Sequence, residues 1–447
     1  MESIKVGLLG LGVVGGGTWK VLARNAQEIA RRAGRNIEVT RVAVRDVAKA
    51  RKLLGDAVAV GADPYAVVTD PSIEIVVELI GGETLARELV LQAIANGKHV
   101  VTANKALLAK HGSEIFAAAS ARGVIVAFEA AVAGGIPIIK AMREGLTANR
   151  IEWVAGIING TTNFILSEMR ARGLPFEAVL AEAQKLGYAE ADPTFDIEGV
   201  DAAHKLTLLA SLAFGIPVQF EKAYIEGISK LAAEDIKLAE RLGYRIKLLG
   251  ITKRRPEGIE LRVHPALVPI KSMLANVEGA MNAVLVKGDA VGQTLYYGKG
   301  AGEEPTASAV VADLVDVTRL LTSDPEHRVP HLAFQPDAMA DTPILPIDDV
   351  ITSYYLRLTV ADQPGVLADL TRLLADSGIS IGSMIQQPTD TASESVSTSA
   401  NDFVHSADLI FLTHEAFERN VNKAIAAIEA LPFVRSRVTR LRMESLA

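Results

Sequence analysis

Residues 4–17 read IKVGLLGLGVVGGG, and this stretch decides the fold of the first part of the chain. A short apolar run leads into Gly10, Gly12 and Gly15, spaced as G-x-G-x-x-G, and a helical pattern follows to about residue 33. The first glycine permits a tight turn, the second lets a pyrophosphate approach the backbone, and the third lets the helix pack closely on the strand. A β-rich run at residues 37–44 completes the order strand, glycine turn, helix, strand.

This order predicts a dinucleotide site rather than a merely flexible glycine loop, because the helix N-terminus presents free N–H groups to phosphate oxygens. The predicted site comprises Gly10, Leu11, Gly12, Val13, Val14 and Gly15. At the end of the second strand, where an acid usually binds the ribose hydroxyls of NAD, the chain has Arg45 followed by Asp46. An arginine suits a 2′-phosphate, so we expect NADP(H) to be preferred and NAD(H) to be accepted through Asp46; the alternative is an exposed arginine without this role.

The alternation of strands and helices continues along the chain. Apolar runs at residues 75–80, 99–102 and 124–128 alternate with helical patterns at residues 84–96 and 105–122. This alternation predicts a doubly wound parallel sheet, in which ligands lie beyond the carboxyl ends of the strands. Two residues that follow such strand ends, Gly81 and Lys105, are therefore expected beside the cofactor. Because a lysine at the start of a helix opposes the helix dipole, the position of Lys105 indicates a functional role.

Composition limits the classes of function. With 447 residues the chain is long enough for two or three domains, and 49% apolar with 22% charged residues is typical of a globular protein. A net charge of −7 argues against nucleic acid as a partner, and no apolar stretch reaches the roughly 18 residues that span a bilayer. The sequence has no cysteine, which excludes disulfides, thiolate metal sites and a thiol nucleophile. We expect a soluble cytoplasmic protein that acts on a small molecule.

Residues 187–205, GYAEADPTFDIEGVDAAHK, gather five carboxylates, a histidine and a lysine. From residue 200 onward an apolar pattern ending at Gly215 predicts a helix, which puts Asp201 and Lys205 four residues apart on one face. Leucines continue along that face, so we expect the pair to point inward. A solvated surface ion pair is the alternative.

A second carboxylate, Glu129, lies in the almost wholly apolar segment FEAAVAGGIPII. A buried carboxylate requires partners. It could cap a helix or form a structural salt bridge, or it could join backbone carbonyls in binding a hard cation. The residues alone favour the structural interpretation.

The rest of the chain divides into an α+β region, in which residues 159–163 (NGTTN) predict a turn, a linker and a C-terminal unit. Glycines at 298, 300 and 302 lead to Pro305 and a helix, and this geometry suits close approach of the Gly302 backbone to a ligand. Five prolines between residues 323 and 349 mark a linker. Beyond it the pattern β-α-β-β-α-β indicates a ferredoxin-like unit. We expect the polar insertion at residues 389–401 to be mobile.

Several long motifs in the same order make the chain resemble a homoserine dehydrogenase with a C-terminal ACT domain. They are GLLGLGVVGGG, VTANKALLA, FEAAVAGGIPII, GIINGTTNFIL, GYAEADPTFDIEGVDAAHKLTLLA, YYGKGAGEEPTASAVVADL and DQPGVLADLTRLLADSGISI. The resemblance covers nearly the whole chain. It implies an NAD(P)-binding Rossmann domain at residues 1–135, with a helix near 305–322 packing back on it. A substrate and dimerisation domain with an open mixed sheet would follow at 136–304, then the linker at 323–349 and the ACT domain at 350–447.

The resemblance also implies an activity, the reversible NAD(P)H-dependent reduction of L-aspartate 4-semialdehyde to L-homoserine in the biosynthesis of threonine, methionine and isoleucine. By match to the family motif, Lys205 is the proton donor in reduction and Asp201 orients that lysine or a water. Lys105 would lie between nicotinamide and substrate and share in proton transfer. The expected substrate site consists of Glu190, which binds the amino group, with Tyr188, Asp196, Gly160 and Thr161.

Family members bind a monovalent cation, usually sodium, and the matching residues here are Glu129, Val132, Gly134 and Ile136. The resemblance further implies a homodimer or homotetramer, and threonine as an effector at the turn 362–367 of the ACT domain, although use of that domain in oligomerisation alone is the alternative.

Two other functions compete with this one. An acylating dehydrogenase acting on the same semialdehyde needs a cysteine, and the chain has none. A non-catalytic amino-acid sensor with a nucleotide-binding fold would not require the lysine and acid set of residues 187–205.

Overall fold

The computed structural model describes residues 3–325, 328–388 and 406–446. The chain divides into two compact units. Unit 1 comprises Met1–Leu231, Leu248–His264 and Val277–Ile344, and unit 2 comprises Ala232–Lys247, Pro265–Asn276 and Leu345–Ala447. The insertion at residues 389–401, for which we expect mobility, lies outside the described residues.

The first sheet of unit 1 has six parallel strands. They are β1 (Ile4–Leu9), β2 (Ile37–Ala43), β3 (Ala59–Gly61), β4 (Ile75–Glu78), β5 (His99–Thr102) and β6 (Val126–Ala127). Their order is β3-β2-β1-β4-β5-β6, with every neighbouring pair parallel. Every residue of β4 and β5 is buried, as expected where helices cover both faces of a parallel sheet. The predicted doubly wound, Rossmann-type sheet is confirmed.

Six helices accompany this sheet. They are α1 (Val13–Arg24), α2 (Ala26–Ala33), α3 (Val47–Leu54), α4 (Tyr65–Val68), α5 (Thr84–Ala95) and α6 (Lys105–Arg122). The single helix predicted as far as about residue 33 was wrong, because Asn25 leaves the helical conformation at φ −108° and ψ 18° and separates two helices. Between β2 and β4, the short elements α3, β3 and α4 were not predicted.

The middle of the chain adds seven helices and six strands. The helices are α7 (Ile138–Lys140), α8 (Gly160–Arg172), α9 (Phe176–Lys185), α10 (Thr194–Ile197), α11 (Val200–Phe214), α12 (Ala233–Arg241) and α13 (Glu303–Leu320). The strands are β7 (Ile151–Ile157), β8 (Tyr224–Ile225), β9 (Tyr244–Arg254), β10 (Ile259–Pro269), β11 (Met281–Gly288) and β12 (Gly292–Lys299). Residues 159–163, which the sequence predicts as a turn, instead begin α8, because the Asn159 side chain caps that helix.

The strands of this region that lie wholly or partly in unit 1 include five in the order β12-β11-β7-β9-β10. The pairs β12–β11, β11–β7 and β7–β9 are antiparallel, whereas β8 adds to β10 in parallel. This is the open mixed sheet expected for the substrate domain. Strand β12 was not predicted, because its residues run into the glycines at 298, 300 and 302, which were interpreted as a ligand-binding loop.

Helix α13 returns to the first sheet and packs against α1. Ala307, Val310 and Leu314 are fully buried in the apolar core that also contains Val6 and Val21. The approach of the two helices is close: a Cβ atom on Gly17 would lie 2.7 Å from the carbonyl oxygen of Glu303. A glycine is therefore required at this crossing.

Unit 2 contains the predicted β-α-β-β-α-β unit. Its elements are β13 (Ile351–Ala361), α14 (Val366–Asp376), β14 (Ile381–Pro388), β15 (Ser406–Thr413), the short β16 (Ala416–Phe417), α15 (Glu418–Glu429) and β17 (Thr439–Met443). The antiparallel order β17-β13-β15-β14 confirms the ferredoxin-like fold. Unit 2 also takes in α12, whose Asp235 carboxylate accepts hydrogen bonds from the Tyr355 hydroxyl at 2.9 Å and from Arg357 Nε at 2.6 Å.

The proline-rich linker is ordered where the structure describes it. Arg328 donates to the carbonyl oxygens of Gly123 and Ser323, and the His331 ring stacks on Phe116 at 5.6 Å. The linker therefore packs on the C-terminal part of α6. Within the described ranges no helix is both long enough and apolar enough to span a membrane.

Candidate active site

Helix α11 holds the central charged pair. Gly199 and Gly215 flank the helix, both in the left-handed conformation (φ 83° and 64°), and every residue after Val200 is buried. One turn separates Asp201 from Lys205, and Lys205 Nζ lies 2.6 Å from Asp201 Oδ2. The same ammonium donates to the carbonyl oxygen of Ile158 at 2.8 Å. Because the Asp201 and Lys205 side chains are only 5% and 10% exposed, the pair points inward and is not a solvated surface pair.

A second lysine reaches the other oxygen of the same carboxylate. Lys105 begins α6, whose N-cap is Asn104, and its Nζ atom lies 3.0 Å from Asp201 Oδ1. The Lys105 side chain is 34% exposed, so it lies at the edge of the site. This ion pair offsets the unfavourable position of a lysine at a helix N-terminus. Asp201 is thus held between two ammonium groups.

Burial and charge act differently on these three groups. Burial opposes ionisation of Asp201, but the ammonium groups of Lys205 and Lys105 outweigh it and lower the pKa of this carboxyl. Burial is the main cause that lowers the pKa of Lys205, partly offset by Asp201. Burial also disfavours the charge of Lys105, yet Asp201, Asp196 and Glu190 outweigh it and raise the pKa of this lysine. Of the two lysines, Lys205 is therefore the one that exchanges a proton more readily.

Asn159, between β7 and α8, joins this carboxylate to a second one. Its Nδ2 atom donates to Asp201 Oδ2 at 2.8 Å and to Asp196 Oδ1 at 2.7 Å. Its Oδ1 atom accepts hydrogen bonds from the Thr162 N–H at 2.8 Å and hydroxyl at 2.9 Å. Burial, followed by the nearby Asp201 charge, raises the pKa of Asp196. The sequence indicated no role for Asn159 beyond a turn.

The expected substrate residues lie on one side of this cluster. The Thr161 hydroxyl donates to the Tyr188 carbonyl oxygen at 2.7 Å, which ties the acidic turn, residues 187–199, to the start of α8. Glu190 is exposed, and its charge contributes to the raised pKa of Lys105. A Cβ atom on Gly160 would lie 2.8 Å from the Ala280 carbonyl oxygen, so this first residue of α8 needs to be glycine. The turn thus brings carboxylates near the two lysines, and the start of α8 adds the N–H groups of a helix N-terminus.

The glycine fingerprint forms a cradle at the N-terminus of α1. Gly10 has φ 92°, and a Cβ atom on Gly15 would lie 2.4 Å from the Gly10 carbonyl oxygen. A Cβ atom on Gly12 would meet no protein atom within 4 Å, and Gly12 caps α1 without a side-chain hydrogen bond. The loop residues Leu11 and Val14 are partly buried, while Val13 is 69% exposed. Open space and unpaired N–H groups at a helix N-terminus fit a dinucleotide pyrophosphate.

The remaining predicted cofactor residues lie on separate loops. Arg45 is exposed at the end of β2. Asp46 caps α3 by accepting the Lys49 N–H at 2.9 Å, a structural role that the sequence did not indicate. Gly81 has φ 71° after β4, and Gly302 has φ 133° at the start of α13, where no side chain caps the helix.

Glu78 is a further buried carboxylate that the sequence reasoning missed. It ends β4, accepts the N–H groups of Ile80 and Gly81 at 2.9 and 3.1 Å, and accepts the Thr102 hydroxyl at 2.6 Å. Its pKa is raised, mainly by burial. The one sequence signal was an acid at the end of an otherwise apolar strand. Glu78 fixes the loop that carries Gly81 at the carboxyl end of β4.

The Glu129 carboxylate accepts the N–H groups of Ile139 and Lys140 at 2.9 and 2.8 Å and so caps α7. Burial raises the pKa of Glu129 to about 7. The carbonyl oxygens of Val132 and Gly134 are buried and accept no hydrogen bond from the described residues, whereas that of Ile136 accepts the N–H of Ile138. No cluster of three or more His, Asp or Glu suited to a metal occurs among the described residues. Buried carbonyls without donors, next to a carboxylate, are oxygen ligands of the kind that hard cations take.

The chain is similar to known proteins over almost its whole length. Family models described as "Homoserine dehydrogenase, NAD binding domain", "Homoserine dehydrogenase" and "ACT domain" match residues 10–129, 137–315 and 354–433. A homoserine dehydrogenase of Pseudomonas aeruginosa is 62% identical over 446 residues, with 100% of both chains covered, and one of Neisseria gonorrhoeae is 55% identical over 446 residues with the same coverage.

The chain also resembles solved structures of homoserine dehydrogenases. A homoserine dehydrogenase from Thiobacillus denitrificans has a TM-score of 0.93 and 67% identity, covering 100% of this chain and 99% of its own. A hyperthermophilic archaeal homoserine dehydrogenase in complex with NADPH has a TM-score of 0.61 and 25% identity, covering 71% of this chain and 98% of its own.

Proposed function

The chain belongs to the homoserine dehydrogenase family, and from this premise we propose how its residues carry out the NAD(P)-dependent interconversion of L-aspartate 4-semialdehyde and L-homoserine. One observation carries the proposal: the Asp201 carboxylate lies between Lys205 at 2.6 Å and Lys105 at 3.0 Å, in a site closed to water on the Lys205 side. Such an arrangement supplies a proton donor with a fixed direction.

Lys205 is the proton donor in reduction. When bound, NAD(P)H supplies a hydride to the aldehyde carbon, and the carbonyl oxygen then requires one proton to become the hydroxyl of homoserine. The Lys205 ammonium gives this proton and becomes a neutral amine, and in oxidation the amine takes the proton back. Burial lowers the pKa of Lys205, which eases the release of this proton to the substrate oxygen.

Asp201 fixes the direction of the Lys205 ammonium and stabilises its charge. Lys105 shares the carboxylate and, with its raised pKa, stays protonated, so it stabilises negative charge that develops on the substrate oxygen. The amino group of the substrate is bound by Glu190 and Asp196, with Tyr188 and the backbone of Gly160 and Thr161 completing the site.

Lys205→Ala and Lys105→Ala test these roles, with Lys110→Ala as a matched control. Lys110 is also on α6 but pairs with Glu83 on the exposed side, 2.8 Å away. Oxidation of NADPH by aspartate semialdehyde should fall by about 10²–10⁴-fold for Lys205→Ala and stay unchanged for Lys110→Ala. Normal turnover by Lys205→Ala would remove this lysine from the mechanism.

Arg45 makes NADP(H) the preferred cofactor. The observations behind this proposal are an exposed arginine at the end of β2 and the use of Asp46 as a helix cap rather than as a free ribose ligand. The archaeal relative solved with NADPH is consistent with it. Arg45→Ala should raise the KM for NADPH and leave that for NADH nearly unchanged. If the ratio of the two KM values were the same in the variant and the parent, the assignment would be wrong.

A sodium ion would be held by the backbone carbonyls of Val132, Gly134 and Ile136, with Glu129 beside it. The two buried carbonyls without donors support this site, although the Glu129 carboxylate is already engaged by N–H groups. We expect the melting temperature to rise with Na⁺ in a choline chloride background of constant ionic strength. Equal melting temperatures in both salts would argue against the site.

Threonine is the effector expected at the ACT domain, at the turn that begins with Asp362 and passes through Gly365, which has φ 97°. Inhibition by threonine should be weaker in Asp362→Ala than in the full-length parent, with the same uninhibited rate. A chain that is insensitive to threonine in both forms would leave oligomerisation as the role of this domain. Sedimentation should then distinguish the proposed homodimer from a homotetramer.

A further inference from the structure

Asn159 has two separate sets of hydrogen bonds, one on each end of its amide. The oxygen caps α8 through Thr162, whereas the nitrogen donates one proton to Asp196 and the other to Asp201, at 2.7 and 2.8 Å. The residue is 4% exposed. Only one orientation of the amide is consistent with these contacts. The reverse orientation would place the amide oxygen against two carboxylates, acceptor against acceptor, and the amide N–H groups against the Thr162 N–H, donor against donor.

We propose that Asn159 is a positioning residue of the reaction, which bridges Asp196 and Asp201 and thereby holds Asp201 in the orientation that serves both lysines. The inference rests on the roles proposed for Asp201 and Lys205. Two carboxylates this close repel each other, and a neutral amide is the one side chain that can donate to both without adding a charge. A lysine or arginine at this position would compete with Lys205 for Asp201.

The bridge determines which atoms of Asp201 face which lysine. Asp201 Oδ2 accepts from both Lys205 and Asn159, and this leaves Oδ1 for Lys105. Without the Asn159 donor only the two lysines hold the carboxylate, which can then turn about χ2 and change the direction of the Lys205 ammonium. A displacement of about 1 Å at a reacting group reduces the rate by about 10²-fold.

The double use of Asn159 allows the two roles to be separated by mutation. Serine and aspartate are also good N-caps, so Asn159→Ser and Asn159→Asp keep the cap of α8 but remove the bridge. Asn159→Ala removes both. The matched control is Asn163→Ser, one turn further along α8, whose buried amide donates to the carbonyl oxygens of Val277 and Met281 and to neither carboxylate.

We expect Asn159→Ser to unfold at nearly the parent temperature while kcat falls by about 10- to 10²-fold. Asn159→Asp adds a negative charge beside Lys205. In the pH–rate profiles, the alkaline limb of the reductive reaction and the acid limb of the oxidative reaction should therefore both move to higher pH. The control should lower the melting temperature without moving either limb. The charged groups that surround the bridge and set these limbs are Lys105 on α6, Glu190 and Asp196 on the acidic turn, and Asp201 and Lys205 on α11.

Two outcomes overturn the inference. One is a parent-like kcat for Asn159→Ser, and the other is an Asn159→Asp variant whose pH limbs stay in place while only its melting temperature falls. Neither outcome is the same as failure of the proposed mechanism, since that failure would appear as normal turnover by Lys205→Ala. An inactive Lys205→Ala variant together with a fully active Asn159→Ser variant would refute the bridge alone.

Discussion

Replacement of Asp201 by asparagine changes the charge of the site without changing its shape. The new amide oxygen would take the Oδ2 position, where both Lys205 and Asn159 donate. Its NH₂ group would then face Lys105 Nζ at about the present 3.0 Å, a donor opposite a donor. Because its side chain is 34% exposed, Lys105 can turn to water, whereas Lys205, at 10%, cannot. The cost therefore falls on Lys205.

The size of this cost follows from burial. Leaving one member of a buried ion pair charged and uncompensated costs about 3–5 kcal/mol. Lys205 avoids the cost by releasing its proton, and burial already lowers the pKa of this lysine. Since 1.36 kcal/mol corresponds to a factor of ten in proton affinity, even about 3 kcal/mol reduces the proton affinity of Lys205 by roughly a hundredfold.

We expect Asp201→Asn to lower the reductive kcat/KM by at least about 10²-fold at mildly alkaline pH. The alkaline limb of reduction and the acid limb of oxidation should both move to lower pH, because both report the Lys205 proton. Asp316→Asn is the control, since Asp316 pairs with Lys140 and Arg319 outside the site. The reasoning is refuted if Asp201→Asn retains its kcat/KM within a few-fold and its limbs coincide with those of the parent.

Three further outcomes are expected. Gly15→Ala should lower the melting temperature, because the added Cβ atom would lie 2.4 Å from the Gly10 carbonyl oxygen. In Gly12→Ala the added Cβ atom meets no protein atom within 4 Å, so this variant should instead raise the cofactor KM by roughly tenfold or more. Equal effects of the two variants on the melting temperature and on the cofactor KM would contradict this prediction. Burial lowers the pKa of His204 to about 4 from 6.5, so the unfolded chain takes up its proton at a higher pH than the folded chain. As the pH falls from about 6.5 to about 4, His204→Leu should therefore become more stable relative to the parent, by about 2 kcal/mol near pH 5. A difference in urea midpoint between variant and parent that does not change with pH would refute this prediction. Glu418→Gln should destabilise unit 2 by about 3–5 kcal/mol, because it removes a buried negative charge that pairs with Arg442 at 2.6 Å and with Arg440 at 2.7 Å. The exposed Glu415→Gln should have no effect on urea unfolding, and similar midpoints for both variants would count against the argument.

Local sequence signals predicted most of the fold and part of the site. The doubly wound sheet and the ferredoxin-like unit followed from strands and helices whose periodicity is strong, and α6 matches its predicted bounds, residues 105–122, because Asn104 and Gly123 cap its two ends. The pairing of Asp201 with Lys205 followed from their spacing on one helix. These features depend on neighbours in the chain, which a sequence displays directly.

The missed features depend on residues that are distant in the chain. Asn159 reads as a turn former, and its two carboxylate partners lie 37 and 42 positions away. Lys105 was suspected from its place at a helix start, but its contact with Asp201 requires α6 and α11 to pack together. Asp46, which resembled a ribose ligand, caps α3, a helix that the sequence reasoning did not predict.

The return of α13 to the first sheet affects the synthesis of the protein. The six strands of that sheet have all been synthesised once residue 127 is added, yet their core is closed only by residues 303–320. At about 5–20 residues per second, the apolar surface that will contact α13 remains uncovered for roughly 10–40 s on every nascent chain. A truncated fragment ending near residue 135 should keep that surface permanently exposed and aggregate, whereas co-expression of a peptide spanning α13 should restore its solubility.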